Sequence, residues 1–448
     1  SEDAYSPDGR HECRPEYPTI VYTKILKSLY PDVPVVLGGI EASLRRLTHY
    51  DYWKDGLRKC ILCDSGADMI IYGMGEKPII QLCRELQKGR DIHEIKDIPQ
   101  TVWLSNEADI PGGITDNDIV LHSHEECLKN KIAQAENFKH IEEESNMLHA
   151  HRLLQAVDNV FAVVNPPYQP MTTEEIDKIY DLPFTRLPHP KYKDKRIPAY
   201  EMIKHSVNIH RGCFGGCAFC TISAHQGKFI VSRSKESILK EVRKIVAMPD
   251  FKGYISDLGG PSANMYGMAG HNKSICEKCR RPSCINPKIC PNLNTDHSRL
   301  IDIYQSVDAI PGIKKSFIGS GVRYDLLLYK SKDEAANVAA RKYTKELICK
   351  HVSGRLKVAP EHTSDTVLRF MRKPPFSQFE EFKRIFDDIN KREKLNQQII
   401  PYFISSHTSW IYSNWTNQCY NHAYTSNHRF HRFGSTIRCF FRGNFRLN

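Results

Sequence analysis

The stretch His210-Arg211-Gly212-Cys213-Phe214-Gly215-Gly216-Cys217-Ala218-Phe219-Cys220 places three cysteines at the spacing C-x3-C-x2-C. The apolar run Ser206-Val207-Asn208-Ile209 before it reads as a strand. Helical spacing begins after it, at Ser234-Lys235-Glu236-Ser237-Ile238. Glycines at 212, 215 and 216 predict a bent loop rather than a core segment. Three clustered thiols on a loop leaving a strand point to a metal or cluster site. The count matters, because four thiolates close a tetrahedral zinc site or fill every iron of a cubane. Three leave one iron of a cubane open to a ligand that is not protein. The competing reading, three buried small hydrophobes, fits poorly with so many glycines.

The stretch resembles the signature loop of the radical S-adenosylmethionine (SAM) superfamily, C-x3-C-x-aromatic-C, with Phe219 at the aromatic position. The longer run from Arg211 to Lys228, continued by Ser232-Arg233-Ser234, is similar to YgiQ-type radical SAM proteins. The resemblance implies a [4Fe-4S] cluster on Cys213, Cys217 and Cys220, with SAM chelated at the open iron. It further implies reductive cleavage of SAM to methionine and a 5′-deoxyadenosyl radical, and an electron donor such as flavodoxin or ferredoxin. It covers about residues 1–407 and is most specific at 35–76, 206–264, 279–291 and 315–407.

The other strand ends extend the pattern. Gly253–Leu258, Lys315–Ile318, Leu356–Ala359 and Gln398–Ile404 read as strands, and helices are expected over 234–248, 297–309, 333–351 and 376–392. Strand, loop and helix repeated five times predict an α/β fold with a partial (β/α) barrel, whose chemistry sits on the loops after the strands. Gly259, Gly260 and Pro261 stand where the superfamily contacts the SAM amino group, although a tight turn explains the glycines equally well. Ser320 and Arg323 are candidates for the SAM ribose and carboxylate, arginine being suited to a two-pronged contact. A surface ion pair is the plainer use of Arg323. Glu361 and His362 follow the fourth strand, and Glu361 is a candidate for the cofactor site. Neither is assigned a proton transfer, and no catalytic residue or substrate motif is recognised.

A second group, Cys276-x2-Cys279-x4-Cys284-x5-Cys290, lies in an insert at 265–295. Four thiols so close suit zinc or a second iron–sulfur cluster. Cys60 and Cys63 form a lone pair, for which a structural role is expected.

Upstream, a helix is expected over 18–31, a strand at Val33–Leu37 ending in Gly38-Gly39, and a strand at Asp68–Tyr72 ending in Gly73-Met74-Gly75-Glu76. A helix then follows from Pro78. This alternation predicts an open parallel sheet. It resembles part of a Rossmann-like, cobalamin-binding-type domain, but no histidine fingerprint for cobalamin is present and cobalamin is not assigned. The turns do not fit G-x-G-x-x-G.

The expected organisation is a partial Rossmann-like domain at 1–105, a helical connector and proline-rich linker at 106–200, a partial barrel at 201–406 and an aberrant, disordered tail at 407–448. His122, His124, Cys127, His149 and His151 fall in the connector and read as surface residues. The tail holds ten aromatic residues and five arginines with no acidic residue, where a further helix and strand are due. An out-of-frame end explains it better than a segment stacking on single-stranded nucleic acid.

At 448 residues, with 40% apolar and 26% charged residues, the composition is that of a soluble globular chain. No apolar run is long enough to span a membrane. The net charge is +11 and the tail supplies nearly half of it, so a nucleic-acid partner is not supported. Fifteen bunched cysteines without a signal peptide predict metal ligation in the cytoplasm. The start, Ser1-Glu2-Asp3, suggests a fragment or processed end. The leading reading is a radical SAM enzyme of unknown substrate, with inactivity of this particular chain left open. The alternatives are a methylthiotransferase-like RNA-modifying enzyme and a non-catalytic zinc- or nucleic-acid-binding protein.

Overall fold

The computed structural model describes residues 3–404, and the tail at 407–448 lies outside the described residues. The fold is mixed α/β with parallel strand pairs in both halves. Among the described residues no helix is long and apolar enough to cross a membrane.

The first half is built on a six-stranded sheet in the order Val36–Leu37, Met69–Ile71, Thr101–Ser105, Val160–Val164, Leu153–Val157, Ile119–Leu121. Its first pair is parallel as expected, but the three middle pairings are antiparallel. Side chains alternate across a strand, and the two faces acquire separate cores. Ile70, Tyr72 and Val102 join Leu37, Leu62 and Ile20 on one face. Met69 and Ile71 join Leu82 and Ile95 on the other. Cys60 is fully buried in the first of these cores. The sheet continues past residue 105 into the stretch expected to be a connector. Leu153–Val157 and Val160–Val164 form a tight hairpin whose Asp158 adopts φ +52°, the left-handed conformation that such turns demand. His124 and Cys127, read as surface residues, are buried.

In the second half Ser206–Asn208 pairs in parallel with Asp257–Gly259, and Tyr254–Ile255 pairs in parallel with Lys315–Ser316. The single strand expected at Gly253–Leu258 thus gives its two ends to two neighbours. Arg355–Glu361 pairs in parallel with Gln398–Phe403. No ladder joins Lys315–Ser316 to Arg355–Glu361 among the described residues; the Ile318 N–H instead donates to the His351 carbonyl at 3.0 Å. Helices Lys235–Val246, Ser298–Asp308, Glu334–Glu346 and Phe376–Arg392 pack Ile238, Tyr304, Tyr343 and Phe382 into one shared core. The helix expected to run to 351 widens into a π-turn at Leu347–His351.

Candidate cluster site

The strand Ser206–Asn208 delivers the chain to the thiol loop, and two glycines let it turn there. Gly212 has φ +88° and lies against the Phe229 carbonyl with no room for a Cβ. Gly216 has φ +58°, and a Cβ on it would lie 2.7 Å from the Pro282 carbonyl and 2.8 Å from Ser283 Cβ. Gly215 does something else. A Cβ there would lie 3.3 Å from Cys213 Sγ, 3.8 Å from Cys217 Sγ and 3.0 Å from Arg323 Nη1. Two of the three thiols and a guanidinium therefore face the space that this glycine leaves open.

Burial pushes the Cys213 thiol up to about 11 and raises that of Cys220, so both are protonated at neutral pH unless a metal core takes the thiolate. Among the described residues, no three His, Cys, Asp or Glu side chains meet closely enough to hold a single ion. The ligands of a cubane bind separate irons and need not meet at a point. Three neighbouring thiols, two of them facing an open cradle, thus fit a cluster better than a lone cation.

Of the residues expected to hold SAM, Phe219 stands exposed on the loop and Pro261 is half-buried. The others already have partners within the chain. Arg323 is largely but not fully buried, with Nη1 donating to Cys217 Sγ at 3.5 Å and Nε and Nη2 donating to the Asp325 carboxylate at 2.9 and 2.5 Å. Asp325 and the nearby thiols hold Arg323 protonated despite its burial. Ser320 Oγ donates to Asp257 Oδ2 at 2.6 Å, and the Gly319 and Ser320 N–H groups donate to Oδ1. Gly259 is glycine because a Cβ would lie 2.6 Å from Ser320 Oγ. Gly260 is glycine because a Cβ would lie 2.6 Å from His210 Nδ1. His210 is fully buried, neither ring nitrogen has a hydrogen-bond partner among the described residues, and burial lowers its pKa to about 4.

Glu361 ends the strand Arg355–Glu361. It adopts φ +69°, an uncommon conformation for a residue with a side chain. Lys373 Nζ donates to its Oε1 at 3.5 Å, and burial raises the carboxyl's pKa. The pair is close enough to Cys220 to influence its titration. Asp257, Asp325, Lys373 and His210 therefore contact the expected site residues, and none was singled out from the sequence. The Arg-x-Asp spacing of 323–325 was the one local signal. Buried Asn264 ties the second and third loops together, accepting from the Arg323 N–H at 2.8 Å and donating to the Arg323 carbonyl at 3.0 Å.

The first half braces the loop from behind. Arg211 Nη1 donates to Glu76 Oε1 at 2.5 Å, His225 Nδ1 and Ser43 Oγ are hydrogen-bonded at 3.0 Å, and Arg372 joins Glu142 and the Gly216 carbonyl. The chain itself fills the space above Gly73, where a Cβ would lie 3.2 Å from the His225 carbonyl. The Gly-rich strand ends that resembled a corrinoid site are thus packed against the chain's own helix Ile222–Gln226.

A family model described as "Radical SAM N-terminal" matches residues 1–206. A UPF0313 protein of Bacteroides thetaiotaomicron is 68% identical over 418 residues, covering 91% of this chain and 67% of that one. A UPF0313 protein of Porphyromonas gingivalis is 62% identical, covering 91% and 64%. The UPF0313 protein YgiQ of Escherichia coli K12 is 40% identical, covering 91% and 61%. The chain spans about two thirds of the length of these curated relatives. Among solved structures, the radical SAM methyltransferase TsrM of Kitasatospora setae, with tryptophan substrate and the SAM analog aza-SAM bound, aligns at a TM-score of 0.43. It shares 15% identity, covering 86% of this chain and 52% of that one. On the strength of its sequence relatives, the chain belongs to the UPF0313 family of YgiQ-type radical SAM proteins.

Proposed function

We propose that this chain is a radical SAM enzyme that holds a [4Fe-4S] cluster through Cys213, Cys217 and Cys220 and binds SAM beside it. When bound, the cluster supplies the electron that cleaves SAM to methionine and a 5′-deoxyadenosyl radical. The observation that carries the reading is the open cradle at Gly215, bordered by Cys213 Sγ, Cys217 Sγ and Arg323 Nη1.

The chain's own residues prepare that site. Cys213 and Cys220 release their protons on ligation, and the Arg323 charge favours thiolate at Cys213. Asp325 fixes the guanidinium in place, so that its Nη1 faces sulfur. Phe219, Gly259, Gly260, Pro261, Ser320 and Glu361 are assigned to the SAM pocket by family resemblance. Asp257 orients Ser320, and Lys373 orients Glu361. The second half would be a partial barrel over 201–406, following a Rossmann-like unit. A cytoplasmic flavodoxin or ferredoxin is the expected reductant.

The test is anaerobic reconstitution with iron and sulfide. The reduced protein should give a cubane EPR signal that SAM perturbs, and it should form 5′-deoxyadenosine. A reconstituted protein with neither SAM-dependent response would overturn the reading.

A further inference from the structure

The insert at 265–295 has little to hold it together. Its regular structure is one short helix, Lys273–Glu277, and one isolated bridge, Gly270 to Leu293. Segments this small usually need a disulfide or a metal to be ordered. Cys276, Cys279, Cys284 and Cys290 are all free thiols. They occupy one small region. Asn292 Nδ2 donates to Cys276 Sγ at 3.5 Å, the Cys279 N–H donates to the Cys276 carbonyl at 3.1 Å, and the Cys290 N–H donates to the Cys284 carbonyl at 2.7 Å.

A second observation points to what they bind. Lys228 is 2% exposed, and its ammonium reaches into this group. Nζ donates to the Arg281 carbonyl at 2.7 Å, to the Cys279 carbonyl at 3.3 Å and to Cys279 Sγ at 3.7 Å. No carboxylate pairs with it among the described residues. A buried cation without an anion is costly, and metal-bound thiolates of this group would supply one within reach of Nζ. Four thiolates around a cubane in its common 2+ state carry a net double negative charge, which the ammonium would partly neutralise. The four thiols do not converge on one point, since no three of them are placed to hold a single ion. That favours a cluster over zinc.

We propose that Cys276, Cys279, Cys284 and Cys290 ligate a second iron–sulfur cluster, a cubane with no open iron, and that Lys228 is its buried counter-ion. This centre backs the first thiol loop. The Cys284 N–H donates to the Phe214 carbonyl at 3.0 Å, Ser283 Oγ donates to the Gly215 carbonyl at 2.8 Å, and Cys213, Cys284 and Cys290 pack around Phe214 in one apolar cluster. Ordering the insert therefore fixes the wall behind Cys213.

The test uses the full chain with Cys213, Cys217 and Cys220 all replaced by Ala, reconstituted anaerobically with iron and sulfide. About four irons and four sulfides per chain should remain, with a cubane signal that SAM does not perturb. Adding Cys276→Ala and Cys284→Ala should remove them. Stoichiometric zinc in place of iron, or no metal in a variant that circular dichroism shows to be folded, would overturn the proposal. Lys228→Met in the triple variant should speed loss of iron to a chelator about tenfold, and an unchanged rate would remove Lys228 from the argument. The reciprocal variant, with all four insert cysteines changed to Ala, reports the first site alone, so failure at one site is distinguishable from failure at the other.

Discussion

The two cysteine groups sit back to back and are charged differently. Beside the first, the buried cation Arg323 is already paired with the Asp325 carboxylate. Beside the second, the buried cation Lys228 finds carbonyls, a sulfur and the Phe229 ring, and no carboxylate among the described residues. The first group surrounds a glycine that keeps space open, and the second belongs to an insert that packs shut against the loop. A paired cation leaves the first site closer to neutral, as would suit the proposed binding of SAM. An unpaired cation suits a closed, anionic centre.

Removing a thiol gives the largest expected effect. Cys217→Ala should reduce 5′-deoxyadenosine formation to background, as read by chromatography of the products, while iron at the second group persists. Next is the ion pair. Asp325→Asn leaves Arg323 buried without its carboxylate and should cost about 3–5 kcal/mol in urea unfolding. A loss below about 1 kcal/mol would mean that the two cations are not differently compensated after all.

Two buried histidines flank the groups in sequence, His210 three residues before Cys213 and His297 just beyond the insert, against Asn264 and Tyr343. Burial lowers both to about 4. An unfolded histidine titrates near 6.5, so between pH 6.5 and 4 the unfolded chain binds protons that the folded chain refuses. Stability should therefore fall as pH drops through that window, by up to about 3 kcal/mol per histidine. His210→Leu should flatten the curve, and an unchanged slope would rule His210 out as a contributor. The smallest effect should come from the seam between the groups. Gly216→Ala pushes a methyl into Pro282 and Ser283 and should cost about 1–3 kcal/mol. It should also weaken iron retention at both sites, which separates a shared wall from two independent ones.

What was legible in the sequence was local. The thiol loop, the strands on either side of its helices and the Phe379, Phe382, Phe386 and Ile389 stripe are written in spacing and period, and the structure follows them. What was illegible depends on distant partners. Gly259 and Gly260 read equally as a SAM contact or a tight turn, and their lack of side chains is also required by Ser320 and His210, which the fold brings against them. Arg323 read as a SAM-carboxylate candidate or a surface ion pair, and it is paired two residues away with Asp325 in a largely buried setting. The sheet strands beyond residue 105 were hidden by polar helices between them. Val160–Val164 was readable as a strand, but its partner Leu153–Val157 is recognisable only once the left-handed turn at Asp158 is known.

The braces on the thiol loop bear on how the protein is made. Ser43, Glu76 and Glu142 contact residues 182, 135 and 230 positions further along the chain. Contacts of such span form late, after the chain has closed long loops. Domains generally fold as units during synthesis, the N-terminal one first. The sheet of the first half therefore leaves the ribosome before Cys213 is made, and it presents a finished surface onto which the loop is laid. The first-half side of the clamp, Ser43, Glu76 and Glu142, is waiting when the three thiols arrive, and Arg372, made later, closes it.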